Sequence, residues 1–66
     1  MNLKQIRTEK GMTQDELAAA LNITRQRLSN YELDKREPPL ELLKNLAAAL
    51  DCTVDELLAE PENENV

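Results

Sequence analysis

Residues 13–32 read T-Q-D-E-L-A-A-A-L-N-I-T-R-Q-R-L-S-N-Y-E, and their pattern predicts two short helices. Thr13 is followed three residues later by Glu16, which is the capping-box pattern of a helix N-terminus. Apolar residues then repeat at helical spacing as far as Asn22, which tolerates positive φ and can end a helix. Thr24 is a good N-cap for a second helix. Two short helices joined by a turn of about three residues form a helix-turn-helix.

The second of these helices is apolar on one face and polar on the rest. Leu28 and Tyr31 share the apolar face, which we expect to turn inward. The other side chains nearly all form hydrogen bonds, namely Arg25, Gln26, Arg27, Ser29 and Asn30. Arg, Gln and Asn are the side chains best shaped for bidentate contacts with purine edges in the major groove. In an isolated helix a solvated polar face is the better interpretation, but the two-helix pattern around this one favours DNA binding.

Five pieces of the sequence identify the family that the chain resembles. They are I-R at residues 6–7, G-M-T-Q-D-E-L-A at 11–18, L-S-N-Y-E at 28–32, K-R-E-P at 35–38 and T-V-D-E-L at 53–57. In this order and spacing they resemble the Cro/C1-type helix-turn-helix family of phage and bacterial repressors, the XRE-like group, over residues 3–58. The resemblance implies an all-α, compact five-helix bundle of the lambda-repressor-like DNA-binding type.

The chain departs from the family pattern at three positions. Asn22 and Asp34 stand where Gly is common, and Pro39 stands where Ser or Thr often caps the next helix. Asn and Asp adopt the same turn conformations as Gly, and Pro suits the first position of a helix. The departures therefore leave the expected fold unchanged.

Composition agrees with a small all-α protein. The 66 residues suffice for one domain, and the single Gly, single Tyr and few β-branched residues favour helices. We expect a helix-turn-helix domain over residues 1–60 and a disordered acidic tail over 61–66, with no separate ligand-sensing domain. No apolar run could cross a bilayer and no signal-peptide pattern opens the chain, so no membrane contact is expected. The lone cysteine fits a reducing cytoplasm.

The net charge of −5 is unusual for a DNA-binding protein, but it is unevenly distributed. Residues 1–37 hold seven basic and six acidic side chains, a balance of +1, whereas residues 38–66 hold one basic and seven acidic, a balance of −6. The acidity would face away from the phosphates if the first half docks on DNA. The low pI still predicts weak non-specific binding.

The resemblance assigns roles along the second helix of the motif. It implies that Arg25, Gln26 and Ser29 contact bases, that Asn30 joins them or reaches the backbone, and that Arg27 meets a phosphate. Arg favours guanine and Gln favours adenine, so a site containing both bases is expected.

Three further phosphate contacts are implied by the resemblance. Gln14 lies at the N-terminus of the first helix of the motif, where backbone N–H groups and the helix dipole attract anions. Lys35 and Arg36 form a basic cluster in the loop over residues 33–38. The alternatives are an ordinary polar residue in a first helical turn and a charged surface turn.

We expect a first helix over residues 2–10, ended by Gly11. The resemblance implies that Arg7 in this helix forms a structural ion pair with Glu32, the alternative being a solvated surface arginine.

We expect a fourth helix over residues 39–50 and a fifth over 53–60. The apolar stripe of the fourth comprises Leu40, Leu43, Leu46, Ala47 and Leu50. Leu42 falls outside that stripe, as an incidental exposed apolar residue or part of a dimer seam. A second capping box, Thr53 with Glu56, opens the fifth helix. Cys52 is interpreted as a small buried hydrophobe in preference to a reactive thiol.

Nothing in the sequence indicates catalysis. The chain has no His, only one Cys and no Gly-rich phosphate loop, so we expect no enzyme activity, catalytic residue, metal, cofactor or small-molecule ligand.

The sequence therefore predicts a double-stranded DNA-binding transcriptional regulator, and specifically a repressor. One recognition helix reads few base pairs, so we expect a homodimer on a palindromic operator with half-sites about 34 Å apart. Its interface would use the fourth and fifth helices, with Leu42, Leu57 or Leu58 as candidates. The alternative is a protein-binding module, such as an antitoxin or accessory subunit, which the overall acidity favours slightly.

Overall fold

The computed structural model describes residues 1–59, and this part of the chain forms five α-helices. They are α1 (Leu3–Glu9), α2 (Gln14–Leu21), α3 (Arg25–Glu32), α4 (Leu40–Ala49) and α5 (Val54–Leu58). The predicted all-α, five-helix fold with a helix-turn-helix is confirmed. The last helix was expected to reach residue 60, but it ends at Leu58, and Ala59 is extended with φ −64° and ψ 150°. The expected disordered tail lies outside the described residues.

Both helices of the motif begin where their capping residues predict. The Thr13 hydroxyl accepts from the Glu16 N–H at 3.1 Å, and the Thr13 N–H donates to Glu16 Oε1 at 2.8 Å, which completes the capping box. Thr24 accepts from the Arg27 N–H at 3.1 Å. These local contacts fix the starts of α2 and α3 independently of the core.

Asn22 and Asp34 adopt the backbone conformation that Gly adopts readily. Asn22 ends α2 with φ 58°, and Asp34 follows α3 with φ 59°. A left-handed residue costs Asn and Asp less than most other residues, because their short side chains can form local hydrogen bonds. The two departures from the family pattern are therefore compatible with its turns.

One apolar core joins all five helices. Its buried members are Leu3, Ile6, Leu17, Ala18, Leu28, Tyr31, Leu42, Leu43, Leu46, Ala47, Leu50 and Leu57. The helix α2 packs against α3 and α4, α1 packs against α3 and α5, and α4 packs against α5. The small side chain of Ala18 is 3% exposed where α2 meets its neighbours, so a larger residue there would force the helices apart.

The buried face of α4 differs from the predicted stripe at two leucines. Leu40 was expected in the core but is 62% exposed, and Leu42 was expected outside the stripe but is buried. Leu42 and Leu46 lie one turn apart, and α4 packs against both α2 and α5, so its buried face is broader than one stripe. Leu40 is the first residue of the helix.

The helix α5 closes the bundle against the start of α1. The Asn2 N–H donates to the Leu57 carbonyl oxygen at 2.8 Å, and the Leu57 side chain is fully buried. Its neighbour Leu58 is 52% exposed. None of the helices in residues 1–59 combines the length and apolarity that crossing a bilayer requires.

Candidate nucleic-acid interface

The polar face of α3 stands clear of the bundle. Arg25 and Gln26 are exposed, and Ser29 and Asn30 are half-exposed, because the buried Leu28 and Tyr31 take the opposite side of the helix. The four expected base-contacting side chains therefore share one accessible surface, which we call the α3 outer face (Arg25, Gln26, Ser29 and Asn30).

Two hydrogen bonds order side chains along α3. The Gln26 amide donates to Asn30 Oδ1 at 3.4 Å, one turn further along the helix. Arg27 Nε donates to the Tyr31 hydroxyl at 2.9 Å, which leaves the terminal guanidinium nitrogens of Arg27 available. The buried tyrosine thus holds the arginine against one flank of the helix.

A surface concavity of about 480 Å³ borders one flank of α3. Its lining residues are Lys4, Arg7, Met12, Thr13, Gln14, Asp15 and Arg25. Arg25 comes from α3, and its guanidinium lies 3.8 Å from the Asp15 carboxylate. Both side chains are largely exposed, so this ion pair is weak and Arg25 remains free to turn toward a ligand. We call this the α1–α2 concavity.

A second concavity, of about 440 Å³, borders the other flank. Its lining residues are Thr24, Gln26, Arg27, Asn30, Tyr31, Arg36, Glu37 and Pro39. Arg27 lies two residues from Arg25, a rotation of about 200° around the helix, so these two arginines mark opposite flanks. Arg36 extends the second flank into the loop after α3, and Lys35 in the same loop is exposed.

A buried ion pair lies beneath the α1–α2 concavity. Arg7 Nε donates to Glu32 Oε2 at 2.6 Å, and the two side chains are 8% and 2% exposed. Arg7 Nη1 also donates to the Met12 carbonyl oxygen at 2.7 Å. The ion pair implied by the resemblance is thus present, and it links α1, the turn before α2 and the end of α3.

Gln14 belongs to the same network. Its amide Nε2 donates to Glu32 Oε1 at 2.8 Å, so the side chain is held half-buried at the first position of α2. An amide carries two N–H groups, and the contact with Glu32 uses one of them. The expected phosphate contact is therefore compatible with this position.

Cys52 lies between α4 and α5 and lines neither of the two concavities beside α3. It is half-buried against the core, and this burial raises the pKa of its thiol, helped by the nearby Glu56 carboxylate. The Lys10 ammonium lowers the pKa of the same thiol, and Lys10 lines neither concavity beside α3. These surroundings disfavour a reactive thiolate.

The comparison with known protein families agrees with the helix-turn-helix that α2 and α3 form. A sequence profile described as helix-turn-helix matches residues 3–57. The chain belongs to the Cro/C1-type helix-turn-helix family. This is a family of DNA-binding transcriptional regulators, and relatives of this chain are named HTH-type transcriptional regulators.

Three relatives illustrate the range of this helix-turn-helix family. The chain is 43% identical over 65 residues to the HTH-type transcriptional regulator YqaE of Bacillus subtilis, covering 98% of this chain and 56% of YqaE. It is 40% identical over 60 residues to the HTH-type transcriptional activator BcrR of Enterococcus faecalis, covering 91% of this chain and 29% of BcrR. It is 36% identical over 58 residues to the immunity repressor protein of Bacillus phage phi105, covering 88% of this chain and 40% of that repressor. The chain thus spans only part of each relative.

Two residues beside the α3 outer face of this helix-turn-helix domain were not among the sequence expectations. Lys4 shares a face of α1 with Arg7, and their separation of three residues was a usable signal. Asp15 approaches Arg25 from another helix, and only the packing of α2 against α3 brings them together. In residues 1–59 no cluster of His, Cys, Asp or Glu could hold a metal ion.

Proposed function

We propose that this domain binds duplex DNA with α3 in the major groove and represses transcription. One observation carries the proposal: the α3 outer face is polar, accessible and flanked on both sides by cationic concavities. A helix that enters the major groove meets base edges in front and a phosphate backbone on either side. The basic side chains on both flanks of α3 are therefore complementary to the two phosphate backbones that border the groove.

Base recognition belongs to Arg25, Gln26, Ser29 and Asn30 in this proposal. Arg25 has the fork of donors that matches guanine O6 and N7, and Gln26 has the donor and acceptor that match adenine N6 and N7. Ser29 serves either base. The contact between Gln26 and Asn30 holds both amides before DNA arrives, which reduces the ordering cost on binding.

Phosphate contacts belong to Gln14 on one flank and to Arg27, Lys35 and Arg36 on the other. The hydrogen bond from Arg27 to Tyr31 directs the guanidinium along the second concavity, whose far side Arg36 supplies. Gln14 is positioned by Glu32 at a helix N-terminus, which is a favourable place for an anion. Phosphate contacts of this kind fix the position of the protein on the duplex and do not distinguish one base sequence from another.

Repression is the simplest outcome of such binding. A domain that occupies a promoter blocks polymerase without any further contact, whereas activation needs a second productive surface. The phi105 relative is named an immunity repressor and the Enterococcus faecalis relative a transcriptional activator, and the chain matches only 40% and 29% of them. We therefore place repression in the DNA-binding domain itself.

We propose that a homodimer reads a palindromic operator. The structure excludes two expected interface residues, because Leu42 and Leu57 are 9% and 0% exposed within one chain. Leu58 on α5 is 52% exposed and remains the candidate from that set, and Leu40 on α4 is an additional exposed leucine. Pairing through these helices would present two copies of α3 at half-sites about 34 Å apart.

Selection of bound sequences from random duplexes tests DNA recognition directly. We expect a preferred site to emerge, and Arg25→Ala or Gln26→Ala to weaken binding to it by about 1–3 kcal/mol while relaxing the preference at one position. The matched control is Gln5→Ala, which removes an exposed glutamine of α1 that contacts Glu9. Recovery of no enriched sequence, or equal losses for Gln26→Ala and Gln5→Ala, would contradict the proposal and favour a protein-binding module.

A further inference from the structure

We propose that Lys4 of α1 is a further DNA-phosphate contact, which extends the interface beyond the helix-turn-helix itself. The inference rests on the proposed function. The α1–α2 concavity brings Lys4 together with Gln14 and Arg25, so one depression is bordered by residues of α1, α2 and α3. A backbone strand passing this flank of α3 would therefore pass Lys4 as well.

Lys4 is placed on this flank by the core. Leu3 and Ile6 are buried, and they fix the rotation of α1 about its axis. Lys4 and Arg7 lie three residues apart and share a face of the helix. Since Arg7 is anchored to Glu32 beneath the concavity, Lys4 occupies the exposed turn beside it.

The charges around the concavity single out Lys4 among its cations. Arg7 is already neutralised by Glu32 at 2.6 Å, and Arg25 lies 3.8 Å from the Asp15 carboxylate. Within residues 1–59, Lys4 forms no ion pair. Lys4 is thus the one cation lining this concavity that has no carboxylate within salt-bridge distance in the described residues.

The chemistry of the flank suits a phosphate diester. Gln14 offers an amide N–H at the start of α2, and the first N–H groups of a helix lack intrahelical acceptors. Lysine adds a flexible, strongly hydrated point charge, which binds phosphate without demanding a fixed geometry. Lys4 should therefore contribute to affinity for every sequence and not to base preference.

The test is the salt dependence of binding to a duplex of about 20 base pairs that carries the site selected from random sequences. Loss of one phosphate contact lowers the slope of log K against log salt by about 0.9. Between about 50 mM and about 200 mM salt, the affinity advantage of wild type over Lys4→Gln should therefore shrink about threefold. Fluorescence anisotropy measures both quantities, and circular dichroism checks that the exposed substitution leaves the helices intact.

Lys10→Gln is the matched control. Lys10 follows the same helix and carries the same charge, but it lies near Cys52 and Glu56. The inference is overturned if the salt slope of Lys4→Gln equals that of wild type. It is also overturned if the slope changes equally in Lys4→Gln and Lys10→Gln, because both lysines would then act only through long-range electrostatic attraction. If the duplex binds and Lys4→Gln behaves as wild type, the proposed function stands without this contact. If wild type binds no duplex, both fail.

Discussion

The carboxylate of Glu32 is shared among three parts of the chain. It accepts from Arg7 of α1 through Nε at 2.6 Å and from Gln14 of α2 at 2.8 Å, while its own backbone ends α3. With the side chain 2% exposed, water cannot replace either donor. The position of the recognition helix relative to its supporting helix is therefore coupled to a single buried charge.

Replacing Arg7 with Ala should lower the free energy of unfolding by about 3–5 kcal/mol, because it leaves the Glu32 charge buried without its cation. Urea denaturation followed by circular dichroism measures the change. Lys10→Ala, at an exposed position after the same helix, is the control and should cost less than about 0.5 kcal/mol.

The double variant Arg7→Leu with Glu32→Leu separates the cost of an orphaned charge from the value of the pair. We expect it to be more stable than either single variant, since no buried charge remains. A double variant as unstable as the sum of the two singles would show that Arg7 and Glu32 contribute independently, and would contradict the energetic coupling proposed for this pair.

At the scale of single helices, the capping boxes set the starts of α2 and α5. In α5 the Thr53 N–H donates to Glu56 Oε1 at 2.9 Å, and the Thr53 hydroxyl accepts from the Glu56 N–H at 3.0 Å. The pKa of Glu56 is lowered from its usual value of 4.5, because its carboxylate accepts hydrogen bonds from the Thr53 backbone N–H and from the Thr53 hydroxyl. The ionised carboxylate is thus favoured by the folded helix.

This lowered pKa predicts the pH dependence of α5. The stabilisation from Glu56 is present above about pH 4.5, the value in the unfolded chain, and is lost as pH falls through the lower folded pKa. The difference in Tm between wild type and Glu56→Gln should therefore become smaller as pH falls from about 4.5 through the folded-state pKa of Glu56. Thermal melts at a series of pH values in this acidic interval measure the difference in Tm. Glu37→Gln, which removes a charge from an exposed loop, is the control, and an equal narrowing there would contradict the assignment to α5.

For the molecule as a unit, the exposed leucines of α4 and α5 suggest where a second copy could pack. Leu58 is 52% exposed and Leu40 is 62% exposed, and both elements lie in the acidic second half of the chain. A dimer formed through these leucines would bury apolar side chains that one chain leaves in water.

Replacing Leu58 with Asp should therefore produce a monomer at micromolar concentrations at which wild type sediments as a dimer. Leu58 is half-exposed, so the substitution should leave the fold intact, and its effect on operator affinity should exceed its effect on stability. Leu33→Asp is the matched control, because Leu33 is 60% exposed but follows α3. A monomeric wild type in sedimentation velocity would remove the basis for this interface.

Features that depend on contacts between neighbouring residues were predictable from the amino-acid sequence. Thr13, Glu16 and Asn22 set the limits of α2 through contacts made within one or two helical turns, and these contacts were legible as patterns. The polar and apolar faces of α3 followed from the spacing of Leu28 and Tyr31 in the same way. The family resemblance supplied the long-range pair between Arg7 and Glu32, which spacing alone does not reveal.

Which surfaces remain exposed depends on how the helices pack together. Leu40 and Leu42 have similar side chains on the same helix, and their burial depends on where α2 and α5 lie against α4. The meeting of Lys4, Gln14 and Arg25 around one concavity likewise depends on how three helices pack. A helical pattern fixes which side chains share a face, whereas the other helices determine what that face meets.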